Sequence, residues 1–285
     1  MRLESEPADI RIIRGVFHHW PFRRGKGLLL RALLPVLRHR DFVFEAASGV
    51  LVRADLGDWI SIHGLVEGYD ADFSRSWSLI RTGDTVFDIG ANVGMWSIGA
   101  ARRAGPAGKV HAFEPLKSNF ARLNETLELN GTTSVLARQI ALMDRAGAFR
   151  FYPSPNKNSG VGRIVVDDWS GPHCMVEGTT LDEYCERENV SSVNLLKLDV
   201  EGAEYHVLKG ARRLLGSDSP PTIVFEVQRV MTEDLKHSPE ELEALLGEFG
   251  YSIHAFRGGK WQPMTLAGFS GPEDLLALPH NAKIP

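Results

Sequence analysis

In Thr85-Val86-Phe87-Asp88-Ile89-Gly90-Ala91-Asn92-Val93-Gly94-Met95-Trp96-Ser97 an apolar run ends in an acid, two glycines follow four apart, and a helical pattern begins. Gly90 and Gly94 let the backbone turn tightly at a strand end and approach a ligand closely. The turn leads into a helix whose free N–H groups and positive dipole end suit a carboxylate or phosphate. A second short strand, Lys109-Val110-His111-Ala112-Phe113, ends in Glu114-Pro115, 26 residues after Asp88. In doubly wound sheets an acid at that strand tip meets the hydroxyls of an adenosine ribose.

Two ligands compete for this arrangement. A dinucleotide site reads G-x-G-x-x-G, because a pyrophosphate needs close backbone approach over several residues. Here the spacing is Asp88-x-Gly90-x-x-x-Gly94, with an acid where a diphosphate would be repelled. Asp88 instead suits a cation such as the ammonium of a methionine moiety. The pattern favours S-adenosylmethionine over a nicotinamide dinucleotide.

Working outward, the 285 residues are 43% hydrophobic and 24% charged, enough for one large α/β domain with appendages. A formal net charge of -4 gives no global reason to expect nucleic acid. Cys174 and Cys185 stand eleven apart without a CxxC pattern, which implies neither a disulfide framework nor a zinc site, and a reducing compartment. No spanning helix is expected. The acidic start, Met1-Arg2-Leu3-Glu4-Ser5-Glu6, is unlike a secretory signal, so the expected location is cytoplasmic.

Charge is nevertheless uneven. Residues 11–40 hold eight Lys or Arg and no acid, leaving 24 basic against 36 acidic residues elsewhere. Within this stretch Leu28 to Leu34 reads as a short helix interrupted by Pro35. It suits a helix packed on the catalytic domain or on the twin subunit of a homodimer, with a peripheral membrane or anionic contact as the other reading.

Strand-like segments at 42–46, 50–54, 84–88, 109–113, 134–139, 194–199, 222–227 and 251–256 mostly alternate with helix-like ones at 72–81, 94–104, 116–130, 180–189, 202–215 and 239–249. The expected fold is α/β: a Rossmann-like doubly wound sheet, mostly parallel, spanning 81–285 after an N-terminal extension over 1–80. A closing hairpin pairs 251–256 with 260–265 around Gly258-Gly259, its last strand antiparallel. Residues 149–178 break the rhythm as a strand pair around a Gly- and Pro-rich loop. That insertion and the N-terminal extension are expected to flank the ligand and build the acceptor pocket.

A second strong signal is Val193-Asn194-Leu195-Leu196-Lys197-Leu198-Asp199-Val200-Glu201-Gly202-Ala203-Glu204, a buried-strand run ending in Asp199. Ligands of such sheets bind at the carboxyl ends of strands where the strand order reverses, which sets Asp199 beside Asp88 as a cofactor-binding residue facing the reactive end of the bound cofactor. Glu226, ending Thr222-Ile223-Val224-Phe225-Glu226, points to the same rim. Three acids at neighbouring strand tips are hard to explain as packing, since each costs several kcal/mol if dehydrated without a partner. Asp199 or Glu201 as a cap of the following helix is the structural alternative.

These blocks resemble the FkbM family of S-adenosylmethionine-dependent methyltransferases: Asp88 to Gly94, Phe113-Glu114-Pro115, Thr180-Leu181-Asp182, and Leu196 to Glu204 with Val207-Leu208-Lys209-Gly210. The resemblance runs from about residue 65 to about 256. It implies methyl transfer to a hydroxyl of a small molecule such as a polyketide, glycoside or sugar. Nitrogen methylation and a non-catalytic cofactor-binding scaffold stay open. By the resemblance Asp88, Gly90, Ala91, Asn92 and Gly94 line the methionine end and Glu114 with Pro115 the ribose. Tyr69, in the segment before the first strand, lies over the cofactor.

Methyl transfer from a sulfonium is an in-line displacement, so positioning supplies much of the rate. A hydroxyl acceptor must also lose its proton to a base or to a metal. Asp199, Glu201 and Glu226 are the candidates for the base, and Asp199 with Glu226 for holding a Mg²⁺. No histidine is placed by motif to act as base, and His206 reads as a packed or exposed side chain.

Overall fold

In the computed structural model, described residues are 7–18, 42–46, 48–53, 55, 58, 61–62, 65, 70–153, 159–165, 170–228, 235–269, 271, 273–282 and 284. The expected helix at 28–34, the remainder of the basic stretch beyond residue 18, and Tyr69 lie outside them. The chain opens with α1 (Ala8–His18), the hairpin β1 (Val43–Glu45) and β2 (Leu51–Arg53), and α2 (Asp70–Trp77). The main body begins with β3 (Thr85–Ile89), α3 (Met95–Ala104), β4 (Lys109–Phe113), α4 (Lys117–Leu129) and β5 (Val135–Arg138). Four short strands follow: β6 (Ala141–Leu142), β7 (Gly147–Tyr152), β8 (Arg163–Val165) and β9 (Cys174–Thr179). The α/β rhythm then resumes with α5 (Leu181–Arg187), β10 (Leu195–Leu198), α6 (Glu204–Lys209), α7 (Arg212–Leu215) and β11 (Thr222–Glu226). It closes with α8 (Pro239–Glu248), β12 (Tyr251–Arg257), β13 (Lys260–Pro263) and β14 (Asp274–Pro279).

The main sheet has the order β13-β12-β14-β11-β10-β3-β4-β5, with β5, β4, β3, β10 and β11 mutually parallel. Strand order reverses between β3 and β10, the switch point at which such sheets bind ligands. Alternation along each strand sorts side chains onto two faces. Val86, Val110 and Leu195 join the cluster with Trp96 and Leu123, while Phe87, Phe113 and Leu196 pack with Tyr184 and Leu242 on the other face. Capping boxes start α5 at Thr180/Glu183 and α8 at Ser238/Glu241.

Four features differ from the sequence reading. The antiparallel strand beside β11 is β14, which inserts between β11 and β12. Asp274-Leu275-Leu276-Ala277-Leu278-Pro279 is buried on both faces, so it lacks the alternation that marks a strand. The expected hairpin forms as β12–β13, turning at Gly258 and Gly259, both at positive φ, and ends at Pro263. The expected helix at 202–215 breaks into α6 and α7 at Gly210, where a Cβ would lie 2.1 Å from the Met143 carbonyl oxygen. Finally, the insertion is more than a strand pair: β6, β9, β7 and β8 form a second sheet, seated by Phe149, Phe151, Ile164 and Val176.

The N-terminal elements share the core of the main body. Phe42, Phe44, Val50 and Val52 pack into the α3–α4 face. Asn130 bonds both the N–H and the carbonyl of Leu51, and Arg53 pairs with Glu125. The Trp77 indole donates to the Trp96 carbonyl at 3.1 Å, and Trp96 donates to Ser76 Oγ at 2.8 Å. These bonds bring Phe73 and Ser76 of α2 to the rim of the site.

Candidate active site

Register builds the site. Asp88 on β3 lies opposite Lys197 on β10, and Lys197 lies opposite Val224 on β11. Two residues further on, therefore on the same face, come Asp199 and Glu226, and Glu226 is paired with Asp274 of β14. Asp88 is likewise opposite Ala112, two residues before Glu114. One face of the sheet thus gathers five carboxyls and one ammonium at the carboxyl ends of its parallel strands. A cavity of about 420 Å³ opens there, within the range of small-molecule sites.

The two turns at the switch point touch. Gly90 (φ 83°) and Asn92 (φ 49°) bend the β3 turn, and a Cβ on Gly90 would lie 1.9 Å from the Asp199 carbonyl oxygen. Across from it Glu201 takes φ 51° before Gly202 at 100°. A left-handed glutamate costs on the order of 1–2 kcal/mol and persists where the surroundings hold it. The holders are visible: Glu204 Oε1 accepts the N–H groups of Val200 at 3.3 Å and Gly202 at 3.4 Å, and His237 Nε2 donates to the Gly202 carbonyl at 2.7 Å.

Gly90, Ala91, Asn92, Glu114, Pro115, Asp199, Glu201 and Glu226 all line the cavity. Gly94 is not part of that lining; it begins α3 at φ 84°, with no side chain capping the helix. Asp88 is likewise not part of the lining. It is wholly buried, accepts from Ser97 Oγ at 2.5 Å, and pairs with Lys197 Nζ at 3.2 Å. A cation of the protein itself, Lys197, thus stands beside Asp88.

Lys197 is a residue of the cavity wall that the sequence reading passed over. Its Nζ lies 3.2 Å from both Asp88 Oδ1 and Asp199 Oδ2 and 3.4 Å from the Gly90 carbonyl. Burial alone would lower its pKa, but Asp199 and Asp88 together outweigh that and hold the ammonium above the usual lysine range. The available signal was a lone charge inside the apolar run 195–198.

The remaining carboxyls are tuned apart. Glu114 accepts the N–H groups of Asn92 at 3.0 Å and Leu116 at 2.9 Å; burial raises its pKa to about 7 against the pull of those bonds. Glu201 is raised to about 8, first by burial and then by the charges of Asp199, Glu226 and Glu204. Its Oε2 is buried without a hydrogen-bond partner among the described residues. Burial and Asp199 also raise Glu226, which accepts Gln228 Nε2 at 2.7 Å. His206 stands apart from the cavity lining, 3.3 Å from Asp144.

Among the described residues no three His, Cys, Asp or Glu side chains are grouped to hold a metal ion. The donors expected for Mg²⁺ have other partners: Asp199 is paired with Lys197 and Glu226 with Gln228. The residues do not make a metal cage.

The methyltransferase FkbM domain matches residues 88–253. The 31-O-demethyl-FK506 methyltransferase FkbM of Streptomyces tacrolimicus is 28% identical over 216 residues, 65% of this chain and 79% of that one. The hexuronic acid methyltransferase AglP of Haloferax volcanii is 30% identical over 47% of this chain and 52% of its own length. The 2-O-methyltransferase NoeI of Sinorhizobium fredii is 29% identical over 48% of this chain and 62% of its own. A crystal structure of Methyltransferase FkbM from Methylobacillus flagellatus KT has a TM-score of 0.44 at 15% identity, covering 77% of this chain and 52% of that one. With a family match over more than half of its length, the chain belongs to the methyltransferase FkbM family.

Proposed function

We propose that this chain transfers the methyl group of S-adenosylmethionine to a hydroxyl of a small natural product or sugar. The observation that carries the reading is the cavity at the switch point, where the Gly90 turn, Glu114 and the carboxyl rim of Asp199, Glu201 and Glu226 converge. The residues fit such a co-substrate. Glu114 is placed for a ribose diol, and a rim whose carboxyls raise one another's proton affinity is relieved by a cationic group. The names of the relatives, a 31-O-demethyl acceptor, a hexuronic acid and a 2-O-position, support a hydroxyl as acceptor.

When bound, S-adenosylmethionine supplies an electrophilic methyl on a sulfonium. The chain's own work is to hold the acceptor oxygen in line with that methyl and to take its proton. Glu201 is better suited to that proton than Asp199. Asp199 is held by Lys197, whereas Glu201, raised to about 8 and with a buried oxygen that has no hydrogen-bond partner among the described residues, is poised near neutral pH. The insertion contributes Phe151, Val161 and Ile164 to the cavity wall, an apolar side against which an acceptor can pack.

The test is methyl transfer from methyl-labelled S-adenosylmethionine to a panel of hydroxylated macrolides, uronic acids and glycosides, with Glu201→Gln as control. Label that reaches oxygen in at least one acceptor, and is lost in the variant, supports the reading. Label found only on nitrogen of amine-bearing acceptors contradicts it.

A further inference from the structure

Lys197 is a buried cation inside the apolar strand Leu195–Leu198. On its face Leu195, Val86 and Val224 are aliphatic and buried, while Asp88 is its cross-strand partner and Asp199 follows two residues on. Carrying an ammonium into such a position costs several kcal/mol unless it is fully paired. The Lys197 ammonium donates to the Gly90 carbonyl and lies 3.2 Å from both the Asp88 and the Asp199 carboxylate. Gly90, Lys197 and Asp199 line the cavity, and Lys197 Nζ sits 6.0 Å from the centre of the Trp96 ring, which also faces it. One side chain therefore ties the first glycine turn to the acid of the next strand and halves the charge of a carboxylate pair.

The consequence lies in the difference between a methyl donor and its product. S-adenosylmethionine carries a sulfonium charge, and S-adenosylhomocysteine, which remains after transfer, is a neutral thioether. An uncompensated carboxylate pair, Asp199 at the wall and Asp88 buried behind it, would hold the donor's full charge more tightly than the dispersed charge of the transition state. That is ground-state binding, which does not accelerate the step. Resting on the co-substrate reading above, we propose that Lys197 is a positioning residue that fixes Asp199 at the cavity wall and serves as a built-in counter-charge, limiting the preference of the site for the charged donor over its neutral product.

Calorimetry of the whole chain with S-adenosylmethionine and S-adenosylhomocysteine, at a pH of about 8.5 where the rim is ionised, tests this. Lys197→Met should move the ratio of the two affinities toward the donor by about tenfold, equivalent to about 1.4 kcal/mol. Asp88→Asn, which removes a negative charge from the same cluster, should move the ratio the other way. A lysine with a merely structural role would weaken both ligands by the same factor and leave the ratio unmoved, and that result overturns the proposal. Should Lys197→Met fail to fold by circular dichroism, Asp88→Asn decides alone: a ratio shifted toward the product supports the counter-charge, and an unchanged ratio overturns it. Wild-type protein that binds neither ligand would instead overturn the co-substrate reading.

Discussion

Glu201→Gln tests the site through stability as well as through turnover. The carboxyl has an ordinary pKa of 4.5, and in the fold burial and then the charges of Asp199, Glu226 and Glu204 raise it to about 8. A rise of that size corresponds to about 5 kcal/mol against the ionised form. Because the folded state holds the proton more tightly than the unfolded chain, folding stability falls as pH rises from about 4.5, and the whole cost is present above about 8. Glutamine carries no such cost. Since the neighbouring carboxyls titrate together with Glu201, part of the gain is shared with them, and the variant should be more stable than wild type by about 2–3 kcal/mol at a pH near 8.5. At a pH near 5 the two proteins should be within about 0.5 kcal/mol of each other. Urea unfolding at several pH values reads this directly, and turnover measured in parallel should fall by about 10²-fold or more. A stability difference that does not grow with pH, or a variant less stable at alkaline pH, would refute the electrostatic account of this residue.

Gly90→Ala should destabilise the fold by about 3 kcal/mol or more in denaturant melts, since φ is 83° and the new Cβ would meet the Asp199 carbonyl oxygen at 1.9 Å. A silent substitution there would mean that the β3 and β10 turns are not in contact. Asp199→Asn removes a wall charge paired with Lys197, so it should weaken S-adenosylmethionine more than S-adenosylhomocysteine and lower turnover by about 10- to 100-fold; equal weakening of both ligands would speak against it. Turnover should be indifferent to EDTA, because Asp199 and Glu226 already have partners in Lys197 and Gln228, and activity lost to EDTA and restored by Mg²⁺ would reinstate the metal pair.

What the sequence made legible is what local chemistry marks. Apolar runs that end in Asp88, Glu114, Asp199 and Glu226 announced the parallel strands and their common rim, and Gly90 announced the turn between them. The partner of Asp88 was not legible because it is non-local: only the pairing of β3 with β10 sets Lys197 beside it, 109 residues away. Similar reasons hid β14, whose run of leucines has no alternation, and the second sheet, whose parallel pairing of Ala141 with Gly178 has no signature in either segment. The strain at Glu201 was equally invisible, because the sequence names a glutamate and not its φ. The Glu114 position, by contrast, followed from strand length and an acid alone.

The central claim is that the cavity at the β3–β10 switch point holds an adenosyl sulfonium donor and not a dinucleotide, and calorimetry with S-adenosylhomocysteine and NADH measures it most directly. The account predicts micromolar binding of S-adenosylhomocysteine and no competition by NADH. Glu114→Ala should weaken the former by about 1.5–3 kcal/mol, the scale of hydrogen bonds to a charged group. Tight binding of NADH with no response to S-adenosylhomocysteine would contradict it.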